Sequence, residues 1–155
     1  MTTTIELNVN GVRHRLPVED DDLLLDVLRT RTGVTSAREG CGVGACGACT
    51  VLADGRSVSA CLARAVRYDG AEITTADGLP EDDPVVDAFV ARRAMQCGYC
   101  IPGFVLMSHE LLAENPDPGP AEIAGHLEGN ICRCGTYQEI VAAVRDAAAL
   151  MGENA

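Results

Sequence analysis

The chain has no tryptophan and no lysine, and only 3% of its 155 residues are aromatic. A core without large rings must be built from Leu, Val, Ile and Ala. All 12 basic residues are arginine, and 23 acidic residues bring the net charge to -11. Such an acidic surface has no footprint for nucleic acid or an anionic membrane. No apolar run approaches the roughly 18 residues of a membrane span. The opening M-T-T-T-I-E-L-N-V lacks a basic n-region, an apolar h-region and a twin arginine, so no signal peptide is expected. A reducing, cytoplasmic setting follows as the expectation. There, eight cysteines argue for metal ligation over disulfides.

Residues 39–50 read E-G-C-G-V-G-A-C-G-A-C-T and hold Cys41, Cys46 and Cys49, with Cys61 following. The spacing C-x4-C-x2-C-x11-C is the plant-type ligand set of a [2Fe–2S] cluster. Four thiolates must surround a rhomb of two irons and two sulfides. Three come from one tight turn and the fourth from a neighbouring segment. Gly40, Gly42, Gly44 and Gly47 let that turn wrap closely and bring N–H groups up to the sulfurs. A zinc knuckle or disulfides are the competing readings. A zinc site more often shows paired C-x2-C hooks or histidines.

Along the chain, Ile5, Leu7 and Val9 alternate as a half-buried strand, and Asn10-Gly11 is a two-residue hairpin signal. Residues 12–18 return as the second strand, with His14 on its apolar parity as a structural histidine. After the acidic turn 19–22, Asp22 can cap a helix with the apolar face Leu23, Leu24, Val27 and Leu28, ended by Gly33. Residues 50–52 and 56–60 form a second hairpin about Asp54-Gly55, and 73–75 a last strand. This half, residues 1–79, is a β-grasp, ferredoxin-like domain. Residues 80–84 are a linker, with Asp83 an N-cap and Pro84 at the first helical position. Residues 85–155 carry helical stripes only. These are Val85/Val86/Phe89/Val90, then Phe104/Val105/Leu111/Leu112 after Pro102, a short helix stopped by Gly129, and Ile140/Val141/Val144/Ala148/Met151. The fold class is therefore α+β: a β-grasp domain followed by a four-helix domain.

The helical half holds Cys97, Cys100, Cys132 and Cys134, spaced C-x2-C-x31-C-x-C, each pair just before a helix. Helix N-termini favour thiolate and so suit an anionic cluster. Four cysteines on two facing turns can hold a second [2Fe–2S] centre, with zinc as the competing occupant.

G-C-G-V-G-A-C-G-A-C-T with Cys61, then Q-C-G-Y-C-I-P-G and N-I-C-R-C-G-T-Y, together resemble the iron–sulfur subunit of the molybdenum hydroxylases. This is the xanthine dehydrogenase and aldehyde oxidoreductase family in its separate-subunit form. The resemblance runs from about residue 4 to 151 and matches all eight ligand positions in order. It implies two [2Fe–2S] clusters here, a large partner subunit with molybdopterin (often the cytosine dinucleotide form), a medium subunit with FAD, and a dimer of heterotrimers. This chain would relay electrons from the molybdopterin centre to FAD or another acceptor, with no catalytic residue of its own. The complex would hydroxylate an N-heteroaromatic or aldehyde substrate. The resemblance places Gln96 and Cys134 beside the pterin. Tyr99 and Tyr137 are expected to be packing residues, and Arg133 to offset cluster charge. Ile101 and the C-R-C-G-T-Y order depart from common family patterns without touching the ligands. The alternative is a free two-cluster ferredoxin. Plant-type ferredoxins need only the first half, so the helical half points to docking. His14, His109 and His126 are scattered and pair with no nucleophile motif.

Overall fold

The computed structural model describes residues 1–153. Strands β1 (Thr2–Val9) and β2 (Val12–Glu19) form an antiparallel hairpin in which Leu7 faces His14. Strands β3 (Thr50–Ala53) and β4 (Arg56–Ser59) form the second hairpin. Strand β5 (Glu72–Thr74) joins the two, parallel to β1 and antiparallel to β3, giving the order β2-β1-β5-β3-β4.

One helical turn, α1 (Leu24–Val27), continues into a π-helical turn over Leu28–Thr32 and stops at Gly33 in the left-handed region, φ 78°. It buries Leu24, Leu25, Val27 and Leu28 among Ile5, Leu7, Val9, Val51 and Ile73. Each such side chain contributes about 1.5–3 kcal/mol of transfer free energy. This is the β-grasp that the strand pattern predicts.

The expected cap is not used. Asp22 Oδ2 instead accepts from Glu19 N at 2.9 Å and from Arg31 Nη2 at 2.8 Å. The reason lies downstream. Leu24 N donates to Ala63 O at 2.7 Å and Leu25 N to Ala60 O at 3.1 Å, so the first N–H groups of α1 are already satisfied. That docking also carries Cys61 to the cysteine loop.

The helical half contains α2 (Pro84–Ala91), α3 (Ile101–Glu114), α4 (Pro120–His126) and α5 (Tyr137–Glu153). They enclose a second core of Val85, Phe89, Phe104, Leu111, Ile123 and Val144. Asp83 does cap α2, its Oδ1 accepting from Val85 N and Val86 N at 3.0 Å each. His109 on α3 reaches the same carboxylate at 3.1 Å. Asp83 is itself buried.

Helix α3 joins the halves by lying against β3 and β4. The buried Glu110 accepts from Ser57 N at 2.8 Å, and Arg56 reaches Glu114 at 3.1 Å. At the start of α3, Gly103 sits against the cysteine loop: a methyl there would lie 2.2 Å from Gly47 O.

Candidate metal centres

The first foursome straddles the 41–49 loop and the segment after β4. Cys41 is exposed, Cys46 half-buried, and Cys49 and Cys61 buried. Cys41 and Cys46 are thiol neighbours, as are Cys49 and Cys61. Val43 N and Ala45 N donate to Cys41 Sγ at 3.4 and 3.3 Å. These bonds, Val43 first, hold the Cys41 thiol down to about 7. Burial pushes Cys49 up to about 11, and the neighbouring Cys61 thiol adds to the rise. The loop leaves no room for side chains at its tightest points. A methyl at Gly40 would sit 2.7 Å from Cys46 Sγ. At Gly47, φ is +70° and a methyl would meet Asn130 Nδ2 at 2.4 Å.

The second foursome is assembled from two turns. Cys100 is the N-cap residue of α3, with Cys97 three residues before it, while Cys132 and Cys134 precede α5. Cys97 is exposed, Cys134 half-buried, and Cys100 and Cys132 buried. Cys97 neighbours Cys134, and Cys100 neighbours Cys132. Burial pushes Cys100 up to about 12, with Cys132 adding to it. Burial also works against ionisation of Cys132, but the Thr136 hydroxyl and N–H, with Cys100, outweigh it and bring that thiol to about 7. Thr136 Oγ1 lies 3.2 Å from Cys132 Sγ. Cys97 is lowered by the Tyr99 N–H, then by Cys134.

Both foursomes have the same plan of two pairs of thiols, with a strongly raised, buried member in each: Cys49 in the first and Cys100 in the second. A raised thiol ionises when a metal ion displaces its proton. Pairs of thiols suit a rhomb in which each of two irons takes two thiolates. The sulfur-directed N–H groups fit a [2Fe–2S] cluster at each foursome, and at the first the close glycine wrap adds to the fit.

The foursomes are joined through the main chain. Ile131 N, next to Cys132, donates to Cys46 O at 3.0 Å. The buried Asn130 holds its amide 3.5 Å from Gly47 O. Gln96 lies exposed at the rim of the second foursome, its Nε2 donating to Cys134 O at 3.4 Å. The two residues singled out for the pterin therefore touch each other.

Sequence reading missed the aromatic hydroxyls. Tyr137 OH accepts from Cys132 N at 2.8 Å while its ring stacks edge-on against Phe104. Tyr99 OH donates to Glu39 O at 2.6 Å, tying one cysteine turn to the other. It also missed Arg38, whose contacts lie sixty residues away. A phenol or guanidinium beside a cysteine turn was the only available signal.

A five-stranded β-grasp carrying one thiol foursome, followed by four helices carrying another, defines a two-domain iron–sulfur protein. Residues 7–75 match the family model of the 2Fe-2S iron-sulfur cluster binding domain, and residues 75–145 that of the [2Fe-2S] binding domain. The chain is 44% identical over 145 residues to the nicotinate dehydrogenase small FeS subunit of Eubacterium barkeri, covering 92% of each. It superposes on a chain of quinoline 2-oxidoreductase from Pseudomonas putida 86 with a TM-score of 0.93 and 36% identity, covering 99% of this chain and 97% of that one. It also superposes on the aldehyde oxidoreductase of Desulfovibrio desulfuricans with a TM-score of 0.92 and 42% identity, where it covers 97% of this chain but spans only 17% of that longer one. The chain belongs to the iron–sulfur subunits of the molybdenum hydroxylases. It is an electron-transfer subunit of an oxidoreductase.

Proposed function

We propose that Cys41, Cys46, Cys49 and Cys61 ligate one [2Fe–2S] cluster, that Cys97, Cys100, Cys132 and Cys134 ligate the other, and that the chain relays electrons between two partner subunits. The observation carrying this reading is the main-chain bond from Ile131 to Cys46 O, which sets the two foursomes side by side. When bound, each cluster takes up and releases one electron. The protein's part is to fix their separation and aim N–H groups at the sulfurs. The exposed rim of the second foursome, with Gln96 and Cys134, faces a large subunit that holds molybdopterin, in its cytosine dinucleotide form. The first foursome faces a medium subunit with FAD, and the assembly is a dimer of heterotrimers. Support comes from the relatives' names, which are those of small subunits and oxidoreductases. The names nicotinate dehydrogenase, quinoline 2-oxidoreductase and aldehyde oxidoreductase support an N-heteroaromatic or aldehyde substrate for the complex. The domain division is 1–79 and 85–155 about a linker at 80–84. Among the described residues no helix is long and apolar enough to cross a membrane, and the cytoplasm is the compartment we assign.

The test is electron paramagnetic resonance of the reduced complex, with about four irons per chain expected from two such clusters. Two signals should appear, one lost in Cys46→Ser and the other in Cys100→Ser. Stoichiometric zinc, or a single signal, would contradict the assignment.

A further inference from the structure

Arg38 stands three residues before Cys41, and its main chain is part of the first cysteine loop: Arg38 N donates to Ala48 O at 3.1 Å. Its side chain crosses to the other half. Nη1 donates to Gly98 O at 2.8 Å and to Tyr99 O at 3.1 Å, and Cζ lies 5.4 Å from the Tyr99 ring centroid. Gly98 and Tyr99 are the two residues between Cys97 and Cys100. One guanidinium therefore belongs by its backbone to the first foursome and by its head group to the second. Tyr99 closes the clasp from the opposite side through its bond to Glu39 O.

The partners of this cation are neutral. Both are carbonyl oxygens, and none of the ion pairs among the described residues uses Arg38. Among these residues Arg38 therefore has no carboxylate within ion-pairing distance, and half-burial weakens the screening by water. An arginine cannot shed its proton in a protein, so the charge is permanent. A two-iron centre gains one negative charge when it takes an electron. A fixed positive charge beside it favours that reduced form.

We propose that Arg38 is a positioning and potential-setting residue: it clasps the two cysteine turns together, and its unpaired charge raises the reduction potential of both centres, the Cys97/Cys100 centre more strongly. The inference rests on reading the eight cysteines as cluster ligands. The step it biases is a one-electron transfer from the reduced centre on one foursome to the oxidised centre on the other. No proton moves, and Arg38 is unchanged.

The experiment is a redox titration of the native complex followed by electron paramagnetic resonance, with thermal unfolding of each variant in parallel. Arg38→Gln should disfavour reduction of the Cys97/Cys100 centre about tenfold, which for a one-electron couple is about 59 mV lower. Arg38→Met, which keeps the apolar stem over Tyr99, should shift the potential equally. Arg38→Lys keeps the charge but loses the planar head over Tyr99, and should hold the potential near wild type while lowering the unfolding temperature. Tyr99→Phe should lower the unfolding temperature only. Unchanged potentials in both neutral variants, or an equal shift in Arg38→Lys, would overturn the assignment while leaving the cluster reading intact. Absence of both resonance signals from the wild type would overturn the cluster reading itself, and this inference with it.

Discussion

Replacing Gly103 by alanine should wedge α3 away from the first cysteine loop. Two effects of the substitution oppose each other. Alanine favours a helix interior over glycine by up to about 1 kcal/mol. Against this, the new methyl would lie 2.2 Å from Gly47 O and 3.2 Å from both Gly47 C and Asn130 Nδ2. A carbon and a carbonyl oxygen settle at about 3.3–3.6 Å, so a main-chain carbonyl must retreat by about 1 Å. That carbonyl lies between Cys46 and Cys49 and cannot rotate aside. Overpacking of this kind costs about 1–3 kcal/mol, and a backbone clash falls at the upper end. The net expectation is a loss of about 1–2 kcal/mol, or a fall of several degrees at 2–4 °C per kcal/mol for a domain of about this size. Thermal unfolding of the cluster-loaded protein, followed by visible circular dichroism, reads it. Gly125→Ala in α4 is the control, because nothing lies within 4 Å of its added methyl. That variant should gain stability. If Gly103→Ala also gains, the close approach of α3 to the loop is not what the geometry says.

Two further outcomes follow from the packing between elements. Asp83→Ala strips the cap from Val85 N and Val86 N and the partner from His109, and should cost about 1–2 kcal/mol in a thermal or denaturant melt; an unchanged midpoint would remove the cap's role. Burial works to raise the Glu110 carboxyl, but Ser57, His126 and Arg56 more than offset it, so its pKa is lowered from 4.5. A lowered carboxylate stabilises the fold above its unfolded pKa and loses that stabilisation as pH falls through its folded value. The stability gap between wild type and Glu110→Gln should therefore be full at neutral pH and close below about pH 4.5; a gap that widens in acid would reverse the sign.

The cysteine sets were legible because ligand spacing is a local property of the chain. So were the hairpins. Asn10-Gly11 takes φ of 52° and 78°, and Asp54-Gly55 takes 49° and 79°, the left-handed pairs that two-residue turns demand. The Asp83 cap was legible for the same reason, since Pro84 beside it fixes the helix start. Asp22 carried the same local signal and misled. Its place was taken by Ala60 and Ala63 carbonyls nearly forty residues on, which no nearby pattern announces. The clasp of Arg38 and Tyr99 failed to show for that reason too. A half-exposed arginine has no periodicity, and its carbonyl partners belong to a different domain core.

The bond from Ile131 N to Cys46 O has a consequence for how this protein can vary. Both atoms belong to the main chain, so this one bond between the halves carries no side-chain identity, unlike the contacts of Arg38, Tyr99 and Glu110. Ile131 is exposed, and almost any residue there would preserve the donor. Only proline, which has no N–H, would delete it. The connection is therefore nearly invisible to ordinary substitution scanning. A lineage could rewrite the surface around it completely and leave that bond intact.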